Sequence, residues 1–312
     1  MDAATQSVFV RAEALAMTLK RLHDRLQADS LQVQLGLVVR SLAHAIIQAC
    51  NEDPDALLAA CHLDRHHPYL VVQQMLSTTL VELVARDMGL SESTRLSLAC
   101  AALTHDIALL PMQLQLDSQT EPLDAQQRDL LFTHPDRTAD TLAALGIDDP
   151  LWLEFVRQHH ERMDGSGYPA GLQGDAISPG SRLLAIADSY AAMVTPRPNR
   201  VGQLPKDALK ALHLQRTTLY DEAILLQCVN ALTVHPPGTV ARLADGEIGV
   251  IRTRQKKNAP LDLWVLYDRN GLPTMRPQRC DPTAPAYAIT DILRVEECRS
   301  ASVVMKRLWT QS

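Results

Sequence analysis

From Ser7 to about Leu63 apolar residues return every three or four positions. Val8, Ala12, Leu15, Leu19 and Leu22 form one stripe, and residues 31–49, from Leu31, repeat the spacing, which predicts amphipathic helices. Asn51-Glu52-Asp53-Pro54 reads as a break and a new helix start, with Pro54 suited to a first turn. The same period continues to about Cys228. It predicts a helix over 69–88, closed by Gly89, and another over 91–109 with Ser91 as its N-cap. Further helices are expected over 124–145, 149–160, 179–193 and 206–214. The period then shortens to two, with strands expected over 239–243, 248–253 and 261–267. Asp245-Gly246 and Asn270-Gly271 are hairpin signals, and His235-Pro236-Pro237-Gly238 is a rigid junction. The expected fold class is mainly α: a helical N-terminal region (1–63), an all-helical core (64–228) and a small C-terminal β unit (229–312) of hairpins or an open barrel.

Composition supports packed helices. The chain has 312 residues, 46% hydrophobic but only 4% aromatic, so Leu, Ala, Val and Ile must make the core. A net charge of -6 without a Lys/Arg run argues against a nucleic-acid polymer or an anionic membrane as partner. An anionic substrate would then need metal and a few local cations. The six cysteines are scattered without a CxxC pair and read as buried thiols. With no signal-peptide pattern and no apolar run expected to span a bilayer, a cytoplasmic protein is predicted. The first 63 residues hold no ligand cluster, which leaves packing, a homodimer contact or signal input.

The candidate chemistry lies in the middle of the chain. His159-His160-Glu161 runs into Asp164-Gly165-Ser166-Gly167-Tyr168-Pro169, a glycine-rich turn with an aromatic tip. Two adjacent imidazoles are hard to bury unless every ring nitrogen finds a partner, and metal ligation supplies one. The plainer alternative is a solvated helix end followed by a turn. His105-Asp106 closes an apolar helix, where a buried carboxylate needs a cation. His134 stands at what reads as a helix start, Thr133-His134-Pro135, and Asp188 follows the apolar stretch 183–187. Together these residues offer four imidazoles and two carboxylates, enough for a two-metal site.

The order His-Asp, His-Pro, His-His-Glu, Asp-Gly-Ser-Gly-Tyr-Pro and Ile186-Ala187-Asp188 resembles the HD-GYP family of metal-dependent phosphodiesterases. The likeness continues through 172–177, Ala191-Ala192-Met193 and Arg197-Pro198-Asn199-Arg200, and segment 237–250 resembles the β extension that often follows this domain. It implies an all-α HD-type core that hydrolyses cyclic di-GMP to pGpG or GMP in bacterial signalling. It also implies roles: catalytic Asp106 and His105, with Asp106 bridging two divalent ions (Fe, Mn, Zn or Ni). His134, His159 and His160 would hold one ion, and His105 with Asp188 the other. Gly167 and Tyr168 would line the nucleotide wall, and Arg197 and Arg200 would meet substrate phosphate, unless that loop is merely solvated.

Two positions depart from the family pattern. Gln73 stands where the first metal-ligand His is expected, and an amide oxygen is a weaker ligand than imidazole. His66, two turns away (on the order of 10 Å), is a poor substitute. Tyr69 stands where three-metal members carry Glu, so no third ion is expected. The pair His105-Asp106 continues Ile107-Ala108-Leu109 where the family has Ile-Gly-Lys, so a cation for the substrate phosphate is lost. Three readings follow: an active, slower cyclic di-GMP phosphodiesterase; a silent nucleotide receptor or scaffold for a signalling protein; or a hydrolase of another phosphate ester.

Overall fold

The computed structural model of the chain describes residues 6–28, 34–119, 121–255, 259–298 and 300–310. Helix α1 (Val8–Gln27) is capped by the Ser7 hydroxyl, which accepts from the Val10 amide. Helix α2 (Leu35–Glu52) follows; the expected start at Leu31 lies outside the described residues. Asn51 and Glu52, expected as a break, form its last turn instead. The chain reverses at Asp53, whose carboxylate accepts from the Ala56 amide and starts α3 (Pro54–Leu63).

Helix α4 (Tyr69–Asp87) is the hub, buried at every residue from Tyr69 to Ala85. Gly89 closes it at φ 73°, and Ser91 caps α5 (Glu92–Thr104). A helix enclosed on all sides is normally apolar throughout, yet α4 carries Gln73, Gln74, Thr78, Thr79 and Glu82. These find partners inside: the two threonines return to carbonyls one turn back, and Glu82 takes a two-pronged contact from Arg95, the shorter arm at 2.6 Å.

The helix expected over 91–109 is interrupted. It ends at Thr104, Asp106 leaves helical geometry at φ -110° and ψ 12°, and a 3₁₀ turn (Ile107–Leu109) leads into α6 (Leu110–Ser118). Pro111 explains the break, because proline fits the first turn of a helix and disrupts its interior. Segment Glu92–Gln113 reaches the length and apolarity of a membrane span, but it is mostly buried inside the protein. Its apolarity therefore belongs to the core.

Helix α7 (Ala125–Ala144) opens with a capping box between Asp124 and Gln127. His134 lies in its interior rather than at the expected helix start, because α7 continues through Pro135. After α8 (Pro150–Gln158) and the loop bearing the Gly-Tyr-Pro motif come α9 (Pro179–Val194), α10 (Pro205–Leu214) and α11 (Glu222–Leu232). Helix α11 runs through Cys228, the expected end of the core. Helices α5, α9 and α11 all pack on α4.

The C-terminal sheet is open and antiparallel, in the order β4-β3-β2-β1-β5, from β1 (Val240–Leu243), β2 (Ile248–Ile251), β3 (Leu263–Tyr267), β4 (Pro273–Cys280) and β5 (Ile289–Leu293). Val240, Ile248, Val250 and Tyr267 join the main helical core, while Ala241, Leu243, Ile251 and Val265 form a smaller cluster. Helix α12 (Ala301–Thr310) returns to α1, where Trp309 stacks on Phe9 at 5.1 Å.

A buried polar pair ties α1 to α4: His23 Nε2 donates to Gln74 Oε1 at 3.0 Å. Burial outweighs that hydrogen bond and pushes the His23 pKa from 6.5 down to about 4. The unfolded chain therefore binds a proton that the native ring refuses, and stability falls as pH drops from about 6.5 towards 4. Replacing His23→Gln should reduce the stability lost between pH 7 and 4.5 by about 2 kcal/mol relative to the unaltered chain. Urea denaturation at the two pH values measures the difference.

Candidate metal centre

Three histidines sit where a backbone carbonyl has lost its helical partner. His105 and His159 are the C-cap residues of α5 and α8, and the last carbonyls of a helix lack amide donors. His134 precedes Pro135, which has no N–H to give to the Leu131 carbonyl four residues earlier. In each case the ring takes the carbonyl three residues back: His105 Nδ1 to Ala102 O at 3.0 Å, His134 Nδ1 to Leu131 O at 2.6 Å and His159 Nδ1 to Val156 O at 2.6 Å. A carbonyl only accepts, so Nδ1 carries a proton in all three, and each ring, when neutral, turns its Nε2 lone pair inward. Trp152 on α8 donates its indole N–H to Thr104 at 2.8 Å, which keeps the two histidine-bearing helix ends adjacent.

The lone pairs converge. His134 Nε2 and His159 Nε2 lie 3.2 Å apart, and in the neutral Nδ1–H tautomers no hydrogen lies between them. His134, His159 and His160 form one cluster whose candidate ligand atoms all lie within 4.8 Å, and His105, Asp106 and His159 form a second. Asp106 divides its carboxylate between them, with Oδ1 3.2 Å from His134 Nε2 and Oδ2 3.5 Å from His105 Nε2. Asp188, from the middle of α9, places Oδ1 3.4 Å from His105 Nε2. The structure thus brings together all six residues expected as metal ligands, and puts His159 in both clusters.

Two apposed imidazole lone pairs repel unless something positive lies between them. Protonation is a poor remedy at His159 and His160, since burial and the neighbouring rings hold both well below the usual imidazole range. A divalent cation is the fitting partner for this donor set. His105 behaves differently. Burial opposes its charged form, but Asp106 and Asp188 outweigh that and lift it to about 9. Burial likewise works against the Asp106 carboxylate, and His105, His134 and His159 together hold its pKa below the usual carboxylate range.

Gln73, the substitution expected to weaken one pocket, enters this second end. Its side-chain amide donates to Asp188 Oδ1 and lies 3.2 Å from His105 Nε2. His66 is exposed, in the bend before α4, and outside both clusters. Leu109 is buried, at the end of the 3₁₀ turn.

Glu161 holds the following loop in place, a role its sequence context did not signal. Its buried carboxylate accepts from the Ala170 amide at 2.8 Å and the Leu172 amide at 2.9 Å. Gly167 packs so tightly on the backbone of His160, Glu161 and Arg162 that a Cβ would overlap it, so its part is to let Tyr168 reach the site. The Tyr168 ring lies against His160 at 4.7 Å and against Phe132 at 5.0 Å. Arg197 is turned to Tyr69, 4.1 Å over the ring, with a guanidinium hydrogen bond to its hydroxyl at 2.7 Å. Arg200 is exposed and donates to the Ala192 carbonyl.

Comparison with known proteins agrees with this architecture. The HD domain family matches residues 58–224. A cyclic di-GMP phosphodiesterase of Pseudomonas aeruginosa is 27% identical over 198 residues, 64% of this chain and 48% of its own length. The 3'3'-cGAMP-specific phosphodiesterase 3 of Vibrio cholerae is 32% identical over 170 residues, 54% of this chain and 36% of that protein. The cyclic di-GMP phosphodiesterase response regulator RpfG of Xanthomonas campestris pv. campestris is 32% identical over 153 residues, 48% of this chain and 39% of its own length. The chain thus spans half or less of these curated relatives. An HDG"Y"P protein of Bdellovibrio bacteriovorus superimposes with a TM-score of 0.58 over 73% of each chain at 17% identity, a likeness of fold.

The Glu161 clamp is testable apart from any activity. Glu161→Ala removes the acceptor of two backbone amides and should cost about 2–3 kcal/mol of stability. Hydrogen exchange should show protection lost at the Ala170 and Leu172 amides.

Proposed function

The chain belongs to the HD domain family and carries the HD-GYP motifs, and from that premise we propose that it is a metal-dependent phosphodiesterase hydrolysing cyclic di-GMP to pGpG or GMP in the bacterial cytoplasm. The observation that carries this reading is the convergence of unprotonated imidazole nitrogens on one Asp106 oxygen, beside an aromatic wall. The active form would use two divalent ions of the Fe, Mn, Zn or Ni class. His134, His159 and His160 with Asp106 would hold one, and His105, Asp188 and Asp106 the other. Bound there, such ions neutralise phosphate charge and acidify a water molecule.

The chain's own residues do the rest of the work. The carbonyl-anchored Nδ1 atoms keep the imidazoles from swinging out when charge builds at the phosphate. The Glu161 clamp fixes Tyr168 as the surface on which a guanine base would lie, with Gly167 permitting that approach. Arg200, which is exposed, would meet a substrate phosphate, whereas Arg197 would first have to leave Tyr69. A homodimer or a docked signalling protein would use α1 and α2, which expose Met17 (43%) and Leu37 (64%).

Gln73 and the buried Leu109 favour a second reading, a receptor or scaffold that binds the nucleotide without turnover. The similarity to a 3'3'-cGAMP-specific enzyme keeps another cyclic dinucleotide in view. The purified protein with Mn²⁺ should linearise cyclic di-GMP, and Asp106→Ala should reduce the rate by about 10³-fold or more. Assaying cyclic di-GMP and 3'3'-cGAMP side by side by chromatography decides the substrate. Calorimetric binding without turnover in a metal-loaded sample would establish the receptor reading instead.

A further inference from the structure

Gln73 does more than fail to supply an imidazole. It is 1% exposed, on the fully enclosed helix α4, and its amide nitrogen is directed at the two groups proposed for the second ion. That nitrogen donates to Asp188 Oδ1 and lies 3.2 Å from His105 Nε2. The opposite end of the same amide, Oε1, is buried without a hydrogen-bond partner among the described residues. An amide oxygen is the end that could ligate a metal, and here it points away from the ligands.

Leaving a buried carbonyl unsatisfied is costly, so the orientation needs a compensating interaction. The compensation is visible at the nitrogen. An NH₂ group has two hydrogens; a carboxylate oxygen stands ready to accept one and, in the neutral ring, the His105 Nε2 lone pair the other. Its partial positive charge does there, weakly, what a cation would do fully. Rotating the amide about its last bond would set Oε1 against the Asp188 carboxylate, two acceptors facing each other.

We propose that the Gln73 amide is a plug that occupies the second metal position, so that the resting protein holds one divalent ion, in the His134, His159, His160 and Asp106 pocket, and admits a second only when the amide is displaced. This rests on the metal-dependent reading above and refines it. A plug differs from a merely missing ligand. If Gln73 only lacks an imidazole, deleting its side chain leaves the second position as poor as before. If it is a plug, deletion exposes His105, Asp106, Asp188 and His159 to a second ion.

The experiment compares the unaltered chain with Gln73→Ala and Gln73→His after chelator treatment and titration with Mn²⁺. Calorimetry reads stoichiometry and affinity, and electron paramagnetic resonance reads whether two ions are spin-coupled. The unaltered chain should bind one ion tightly and show an uncoupled Mn²⁺ signal. Gln73→Ala should bind a second ion at least ten-fold more tightly than the unaltered chain does, and Gln73→His more tightly still, both with a coupled signal. Circular dichroism and the retained first ion verify that each variant is folded. Two tight, coupled ions in the unaltered chain would overturn the plug while leaving the phosphodiesterase reading intact. A second ion regained in Gln73→His but not in Gln73→Ala would overturn it in favour of the missing ligand. No ion in any of the three proteins would remove both the plug and the metal-dependent function.

Discussion

The site depends on where helices run out of hydrogen-bond partners. Three carbonyls, Ala102 at the end of α5, Val156 at the end of α8 and Leu131 opposite a proline in α7, are free to accept an imidazole N–H. Each takes one, and each thereby turns an Nε2 lone pair towards the same small volume. The backbone sets the tautomer, the tautomer sets the ligand atom, and the shared Asp106 carboxylate joins the two ends of the cluster. This also accounts for the His-Pro pair, since the proline beside His134 creates the acceptor that His134 uses.

The surrounding fold keeps those ends in register. Trp152 bonds α8 to the last residue of α5, so the two histidine-bearing termini cannot drift apart without breaking a buried indole hydrogen bond. Helix α4 packs against both α5 and α9 and returns the Thr78 and Thr79 hydroxyls to its own carbonyls, while Gln73 turns its amide to the cluster from inside the core. The loop is held independently, by the Glu161 carboxylate. Orphaned helix carbonyls hold three of the imidazoles and a carboxylate clamp holds the aromatic wall.

Much of this was legible in the sequence, for identifiable reasons. Helical period and capping residues located α1, α4, α7, α8 and α9 closely, and the His-Asp, His-Pro, His-His-Glu and Ile-Ala-Asp segments pointed to the six candidate ligand residues that meet. Other features depended on longer range. The break after Thr104 follows from Pro111, but the apolar run through 109 hid it. Strand β4 is largely exposed and reads Pro-Thr-Met-Arg-Pro-Gln-Arg-Cys, with too little alternation to stand out. Helix α11 followed the last expected helix of the core without being marked off, and α12 owes its place to a stack on a ring some three hundred residues earlier. The clamp by Glu161 joins it to amides nine and eleven residues on, and no local pattern announces such a bond.

The two departures from the family motif differ in kind. Leu109 subtracts a charge from the rim and is itself absorbed into the core, so its effect would fall on phosphate binding. Gln73 changes the balance inside the cluster, where two carboxylates already require positive charge around His105. At the other end, His134 and His159 are oriented by carbonyls of α7 and α8, and His160 lies against Tyr168. A substitution on α4 can therefore alter one half of the site and leave the other whole. Gln74, the next residue along, bonds His23 of α1, so the N-terminal helix is anchored one position away from Gln73.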